Sequence, residues 1–167
     1  MPSGGERRLF WALAAGVVVA DLATKLLAEA TLLRTAGVQV VGDWVQFRLL
    51  YNPGAAFGLH LGPLSRWIFA AIAVVAVIVC ARMAREAPAR DLLRQLALGL
   101  VAGGAAGNLV DRFRSARGVV DFIDVGVGAL RWPTFNVADI AVSCGAIALA
   151  ISLWREDQQR AGSPATS

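Results

Sequence analysis

The sequence has one histidine, two cysteines and few charges. The histidine, His60, stands without a Cys-x-x-Cys or His-x-x-x-His pattern anywhere in the chain, so no ligand spacing for a metal exists and none is expected. The cysteines, Cys80 and Cys144, both lie inside apolar stretches. A bridge between them is not expected, and both read as small packing residues. Charged residues make up only 17% of the chain, against roughly 25% in a soluble domain. Hydrophobic residues supply 57%, and the mean hydropathy is +0.60. These figures exclude a disordered protein, a disulfide scaffold and an ordinary cytosolic enzyme. A small multi-span membrane protein remains, because about 20 apolar helical residues cross a bilayer core.

The net charge is +4 and the sequence pI near 10.0. The basic residues are scattered through loops and tails, with no basic helix and no aromatic-basic interleaving, so no nucleic-acid partner is expected. They read as loop arginines that orient a membrane protein.

Four spans are expected in the 167 residues, which form a single integral membrane domain. The first, about 9–28, follows Arg7 and Arg8. It is longer than a secretory h-region and contains Asp21 and Lys25, so it reads as an uncleaved span. Residues 31–61 are too polar to cross. Val38–Val41 and Trp44–Tyr51 around Gly42-Asp43 predict two β-strands in a small extramembrane sheet, ended by Asn52-Pro53-Gly54. The second span is about 64–81. A charged loop with Pro88 follows, and then the third span, about 92–110, whose run Ala102–Gly107 is small enough for close helix approach. A polar outer loop, 111–135, leads to the fourth span, about 136–154, and a polar tail, 155–167. The fold class is thus all-α membrane protein with a β segment on the non-cytoplasmic side. Loop arginines favour cytoplasmic termini, with Trp11 and Trp154 at the inner interface and Trp44, Trp67 and Trp132 at the outer one.

A carboxylate at the bilayer centre costs about 2.5–3.5 kcal/mol on insertion scales, so polar residues inside spans carry information. On this topology Asp21, Asn108, Asp111, Asn136 and Asp139 fall in or beside the outer third, with Asp121 and Asp124 in the loop at the same level. Asn108-Leu-Val-Asp111 and Asn136-Val-Ala-Asp139 echo each other, and Asn and Asp at i, i+3 share a helical face. One such pair alone reads as polar groups at a helix end; two at one depth read as a site. Asp21 and Lys25 read as a paired charge, with Lys25 reaching for the outer interface. Arg112 reads as an interfacial anchor, with pairing to a lipid phosphate or a site carboxylate as the alternative. His60 reads as an ordinary loop residue.

Two carboxylates ~4 Å apart repel by about 4 kcal/mol at an effective dielectric of ~20, or roughly three pKa units. One then holds a proton near neutral pH while the other is ionised. The ionised member can take a proton from water attacking a carbonyl, and the protonated one can polarise that carbonyl. No metal, nucleophilic side chain or cofactor is needed. The internal echo alone pairs Asp111 with Asp139.

The segments Asp21-Leu-Ala-Thr-Lys25, Asn52-Pro-Gly-Ala-Ala-Phe57-Gly58, Gly104-Ala-Ala-Gly-Asn108-Leu-Val-Asp111-Arg112, Val119-Val-Asp121-Phe-Ile123 and Phe135-Asn136-Val-Ala-Asp139 occur in that order. Together they resemble the signal peptidase II family, the lipoprotein signal peptidases, which are bacterial membrane aspartyl peptidases. The resemblance implies removal of the signal peptide from prolipoproteins just before a diacylglyceryl-modified cysteine. It implies a catalytic dyad of Asp121 and Asp139 in place of the echo pairing. Asp111 then supports the site beside Asn108 and Arg112, Asn52, Gly54 and Asn136 shape it or contact substrate, and Asp21 and Lys25 are structural. It also implies no cofactor, prolipoproteins and membrane lipids as partners, and a bacterial inner-membrane location with the site near the outer face. A monomer is expected. The stretch Arg112–Val119 looks about a residue longer than the family pattern. The rival class is a proton- or ion-coupled transporter, whose carboxylates would sit nearer the midplane and whose halves would show repeats; a non-catalytic membrane subunit is the third reading.

Overall fold

The computed structural model describes residues 4–54, 62–88 and 91–161. His60 and the segment Ala55–Gly58 lie outside the described residues, as does Arg90. Four long helices are present among the described residues: α1 (Gly4–Thr31), α2 (Ser65–Glu86), α3 (Leu92–Arg114) and α4 (Val137–Ala161). Three of them, α1, α2 and α4, are long and apolar enough to cross a membrane. The chain is a mostly helical membrane protein, and its helices run somewhat beyond the spans expected from hydropathy alone.

Helix α3 occupies the middle and packs against each of the other three. Its glycines explain how. A Cβ on Gly103 would sit 2.8 Å from the Ala14 carbonyl oxygen, and one on Gly104 would overlap the Ala138 carbonyl oxygen. The small residues of α3 therefore bring α1 and α4 into backbone contact. The neighbouring helices fill the space beside these residues, and no room for a substrate chain is left there.

The bundle is apolar outside and partly polar inside. Val19, Leu27, Ile72, Val75 and Ile147 are exposed, whereas Asp21, Lys25, Gln95 and Asp111 are buried. This inversion suits a lipid surround, where exposed Leu and Ile cost nothing and unpaired charge costs several kcal/mol. Cys80 joins Phe10, Ala84, Leu98 and Ala102 in the apolar core, as its packing role requires, while Cys144 is exposed.

The helix ends nearest the site carry a four-stranded antiparallel sheet in the order β1 (Val38–Val41), β2 (Val45–Asn52), β3 (Val119–Val127), β4 (Leu130–Arg131). The first two strands stand where alternation predicted them. The stretch 111–135, read as a polar loop, is different. It holds the last turn of α3, then β3, which pairs with β2 in the register Leu50↔Asp121 and Asn52↔Val119. Val119, Val120, Asp121 and Phe122 are all buried. Asp121 and Asp124 are therefore strand residues, and the rigid sheet fixes Asp121 where a loop would leave it mobile.

Candidate active site

Asn136 and Asp139 begin α4. The Asn136 side-chain oxygen accepts from Asp139 N at 3.0 Å, and Asp139 Oδ2 accepts from Asn136 N at 3.1 Å. This reciprocal pair is a capping box, with Asp in the place usually held by Glu. At Asn136 and Asp139 the Asn-x-x-Asp spacing is thus a helix-end device, and Asp139 also lines the candidate cavity. The remaining Asp139 oxygen, Oδ1, accepts from Asn108 Nδ2 at 2.9 Å.

Asp121 reaches the same place from β3 and is 2% exposed. Its Oδ1 accepts from Asn136 Nδ2 at 2.7 Å, and its Oδ2 from Asn52 Nδ2 at 3.2 Å. All four oxygens of the two carboxylates thus accept a hydrogen bond, each from a neutral amide. Both side chains line one cavity of about 500 Å³, together with Asn52, Asn108, Arg112 and Trp132. Burial, and then the charge of Asp139, push the Asp121 carboxyl up to about 7, against the opposing pull of the Asn52 and Asn136 amides.

Asp111 is not in this cavity. Its Oδ2 lies 2.8 Å from Lys25 Nζ and accepts from Val120 N at 3.1 Å, and its Oδ1 bonds Arg114 Nε at 2.6 Å. The pairing of Asp111 with Asp139 suggested by the echo is therefore not what the fold makes. The asparagines of the two echoed segments hold carboxylates crosswise instead: Asn108 bonds Asp139, and Asn136 bonds Asp121.

Lys25 does not reach the interface, as snorkelling required. It is fully buried, with Nζ 2.7 Å from Asp21 Oδ2, 2.8 Å from Asp111 Oδ2 and 2.9 Å from Asn108 Oδ1. Asp21 Oδ1 in turn accepts from Ala138 N at 2.9 Å, in the first turn of α4. The pair is a paired charge, as expected, but it is bolted between three helices.

Arg112 is also buried, and it anchors backbone where an anchor to lipid was expected. Nη1 donates to the Asn108 carbonyl at 2.9 Å and Nη2 to the Gly54 carbonyl at 3.1 Å, with the guanidinium over the Phe69 ring. Gly54 N donates to Asn52 Oδ1 at 3.0 Å, which turns the amide of Asn52 toward Asp121. Gly118 closes the start of β3 with φ +109, where a Cβ would overlap the Asn52 carbonyl. Asp124, three residues beyond Asp121, is neutralised by Arg131 at 3.0 Å.

Sequence reasoning missed Glu29. It accepts from Tyr51 Oη at 2.8 Å and pairs with Arg114 at 2.7 Å, bracing β2 and α3 against α1. Asp21, Lys25 and Glu29 follow at i, i+4, i+8, a polar stripe on an otherwise apolar helix that could have revealed it.

The model of the family described as signal peptidase (SPase) II matches residues 13–155. A lipoprotein signal peptidase of Rhodococcus jostii (strain RHA1) is 46% identical over 156 residues, covering 90% of this chain and 75% of that protein. The lipoprotein signal peptidase of Streptomyces griseus is 41% identical over 154 residues, with 88% and 74% covered. Two solved structures described as bacterial membrane enzymes share the fold. One, at 2.3 Å resolution, has a TM-score of 0.78 and 27% identity over 93% of both chains. The other, at 1.9 Å, has a TM-score of 0.72 and 29% identity over 85% of this chain and 90% of that one.

Proposed function

The chain belongs to the signal peptidase II family, and from that footing we propose that it is an aspartyl endopeptidase of the bacterial membrane that removes signal peptides from diacylglyceryl-modified prolipoproteins, cutting before the lipidated cysteine. The observation that carries the assignment of the dyad is the seating of Asp121 and Asp139 in one cavity, joined by Asn136, which donates its amide to the first and exchanges capping bonds with the second.

The pair shares one proton. Its resting place is Asp121, whose carboxyl stays protonated up to about 7. Ionised Asp139 takes a proton from water as the water oxygen bonds the scissile carbonyl carbon. Asp121 gives its proton to the carbonyl oxygen, which forms a neutral gem-diol. In the second step Asp139 returns a proton to the amide nitrogen, the C–N bond breaks, and Asp121 takes a diol proton back. The starting protonation is restored. Asn52, Asn108 and Asn136 hold the carboxylates, Arg112 fixes the Gly54 carbonyl, and Asp111 supports the start of β3.

We further propose that α3 is a fourth span. Its 23 residues extend roughly 34 Å at 1.5 Å per residue, enough for a core of about 30 Å. Both termini then face the cytoplasm, and the sheet and cavity face outward at the level where a substrate's acyl chains stay in lipid.

The test is incubation of the purified enzyme with a diacylglyceryl-modified prolipoprotein and detection of the shortened product. Asp121→Asn and Asp139→Asn are expected each to abolish cleavage without loss of folded protein, whereas Asp111→Asn keeps measurable activity. Cleavage by either of the first two removes the dyad assignment.

A further inference from the structure

Lys25 is buried and bonds Asn108, 83 positions further along the chain, and nothing in the hydrolytic steps above uses it. Its ammonium has three donors, and three acceptors surround it: Asp21 Oδ2, Asp111 Oδ2 and Asn108 Oδ1. The first two are counter-charges. The third is a neutral amide oxygen, and that contact has a directional consequence. An ammonium only donates, so the Asn108 amide must turn its oxygen toward Lys25. The same oxygen accepts from Asn136 Nδ2 at 3.1 Å. Two donors on Oδ1 leave the Asn108 amide one orientation, with Nδ2 toward Asp139 Oδ1 at 2.9 Å. The opposite orientation would point N–H at an ammonium and a carbonyl at a carboxylate, both repulsive.

We propose that Lys25 is a positioning residue of the peptidase, acting through Asn108 to set the Asp139 carboxylate, in addition to its role in holding the helices together. The inference rests on the dyad reading above. Without Lys25 the Asn108 amide can rotate, and Asp139 Oδ1 loses its fixed donor. The capping box still holds Oδ2, so the carboxylate pivots about that bond and substrate binding is spared. A misplacement of about 1 Å in a reacting group costs on the order of 100-fold in rate.

A lone Lys25→Met change strands two buried carboxylates and invites unfolding. The informative variant is therefore Lys25→Met with Asp21→Asn. It removes one charge of each sign, leaves Asp111 with Arg114, and keeps an oxygen for Ala138 N. Steady-state kinetics on a diacylglyceryl-modified prolipoprotein should show kcat reduced about 100-fold with KM within twofold of wild type. Asn108→Leu, which leaves the number of charged groups unchanged, should give a similar kcat loss. Adding it to the double variant should cost little more, because both changes break the same chain of contacts.

Wild-type kcat in the double variant, or a raised KM with unchanged kcat, overturns the proposal and leaves Lys25 a packing ion. Multiplicative losses on combination with Asn108→Leu also overturn it. If the double variant does not fold, the Asn108→Leu background decides: Lys25→Arg there must have no further effect on kcat, and a further tenfold drop refutes the coupling. Failure of the wild-type enzyme to cleave at all would instead strike the dyad reading.

Discussion

The Asp121 carboxyl holds its proton to about 7 in the native protein, against 3.8 for a free side chain. Between those values the folded state binds more protons than the unfolded one, so this residue makes stability fall as pH rises from about 4 to about 8, with no further change above. The separation corresponds to at most about 4 kcal/mol. Asp121→Asn removes the titration. Its melting temperature relative to wild type should therefore climb steadily from pH 4.5 to pH 8, and a difference that stays flat across that range would refute the raised carboxyl. Catalysis follows the same proton: kcat should decline above pH 7 as the shared proton leaves the pair. Asn136→Ala is a second residue-scale case. It deletes the α4 cap, worth about 1 kcal/mol, and the donor to Asp121, so thermal stability and cleavage both fall, cleavage by far the more.

At the scale of elements, close approach is the organising constraint. Gly104→Ala forces a methyl into the Ala138 carbonyl, and Gly107→Ala puts one 2.6 Å from Asp21 Oδ2. Each is expected to cost about 1–3 kcal/mol as overpacking and to lower kcat by shifting the start of α4. Gly16→Ala, with nothing within 4 Å of the added carbon, should leave melting temperature and cleavage unchanged. The helices were legible in the sequence because lipid selects for continuous apolar runs, and β1 and β2 because a turn separates two alternating stretches. Strand β3 was hidden. Val-Val-Asp-Phe-Ile-Asp is apolar enough for a buried strand, but its two acids suggest a loop unless one knows that Arg131 answers Asp124 and that two asparagines answer Asp121. The Asn-x-x-Asp echo picked out two segments that do meet, through Asn108 with Asp139 and Asn136, but it paired the wrong carboxylates. Spacing says which residues share a helix face, whereas the neighbour that face meets depends on Lys25, a helix away. The dyad came from resemblance, and its geometry from the packing.

For the whole molecule, the exposed tryptophans mark two levels: Trp11 and Trp154 at one end of the bundle, Trp44, Trp67 and Trp132 at the other. Such belts sit at membrane interfaces. In a background with Cys80 and Cys144 changed to Ala, Ala129→Cys should react with a membrane-impermeant thiol reagent added to intact spheroplasts, and Gln158→Cys only after lysis. The reverse pattern would invert the proposed orientation. The site itself draws on α1, β2, α3, β3 and α4, with the two acids on elements from the last third of the chain. The acceptor for the Ala138 amide, Asp21, is made first, and the helix that needs it is made last. A ribosome threading this polypeptide into the bilayer thus leaves Asp21 without its α4 donor until that helix follows and docks. On the proposed dyad, peptide-cutting power waits for that docking, because α4 carries Asp139.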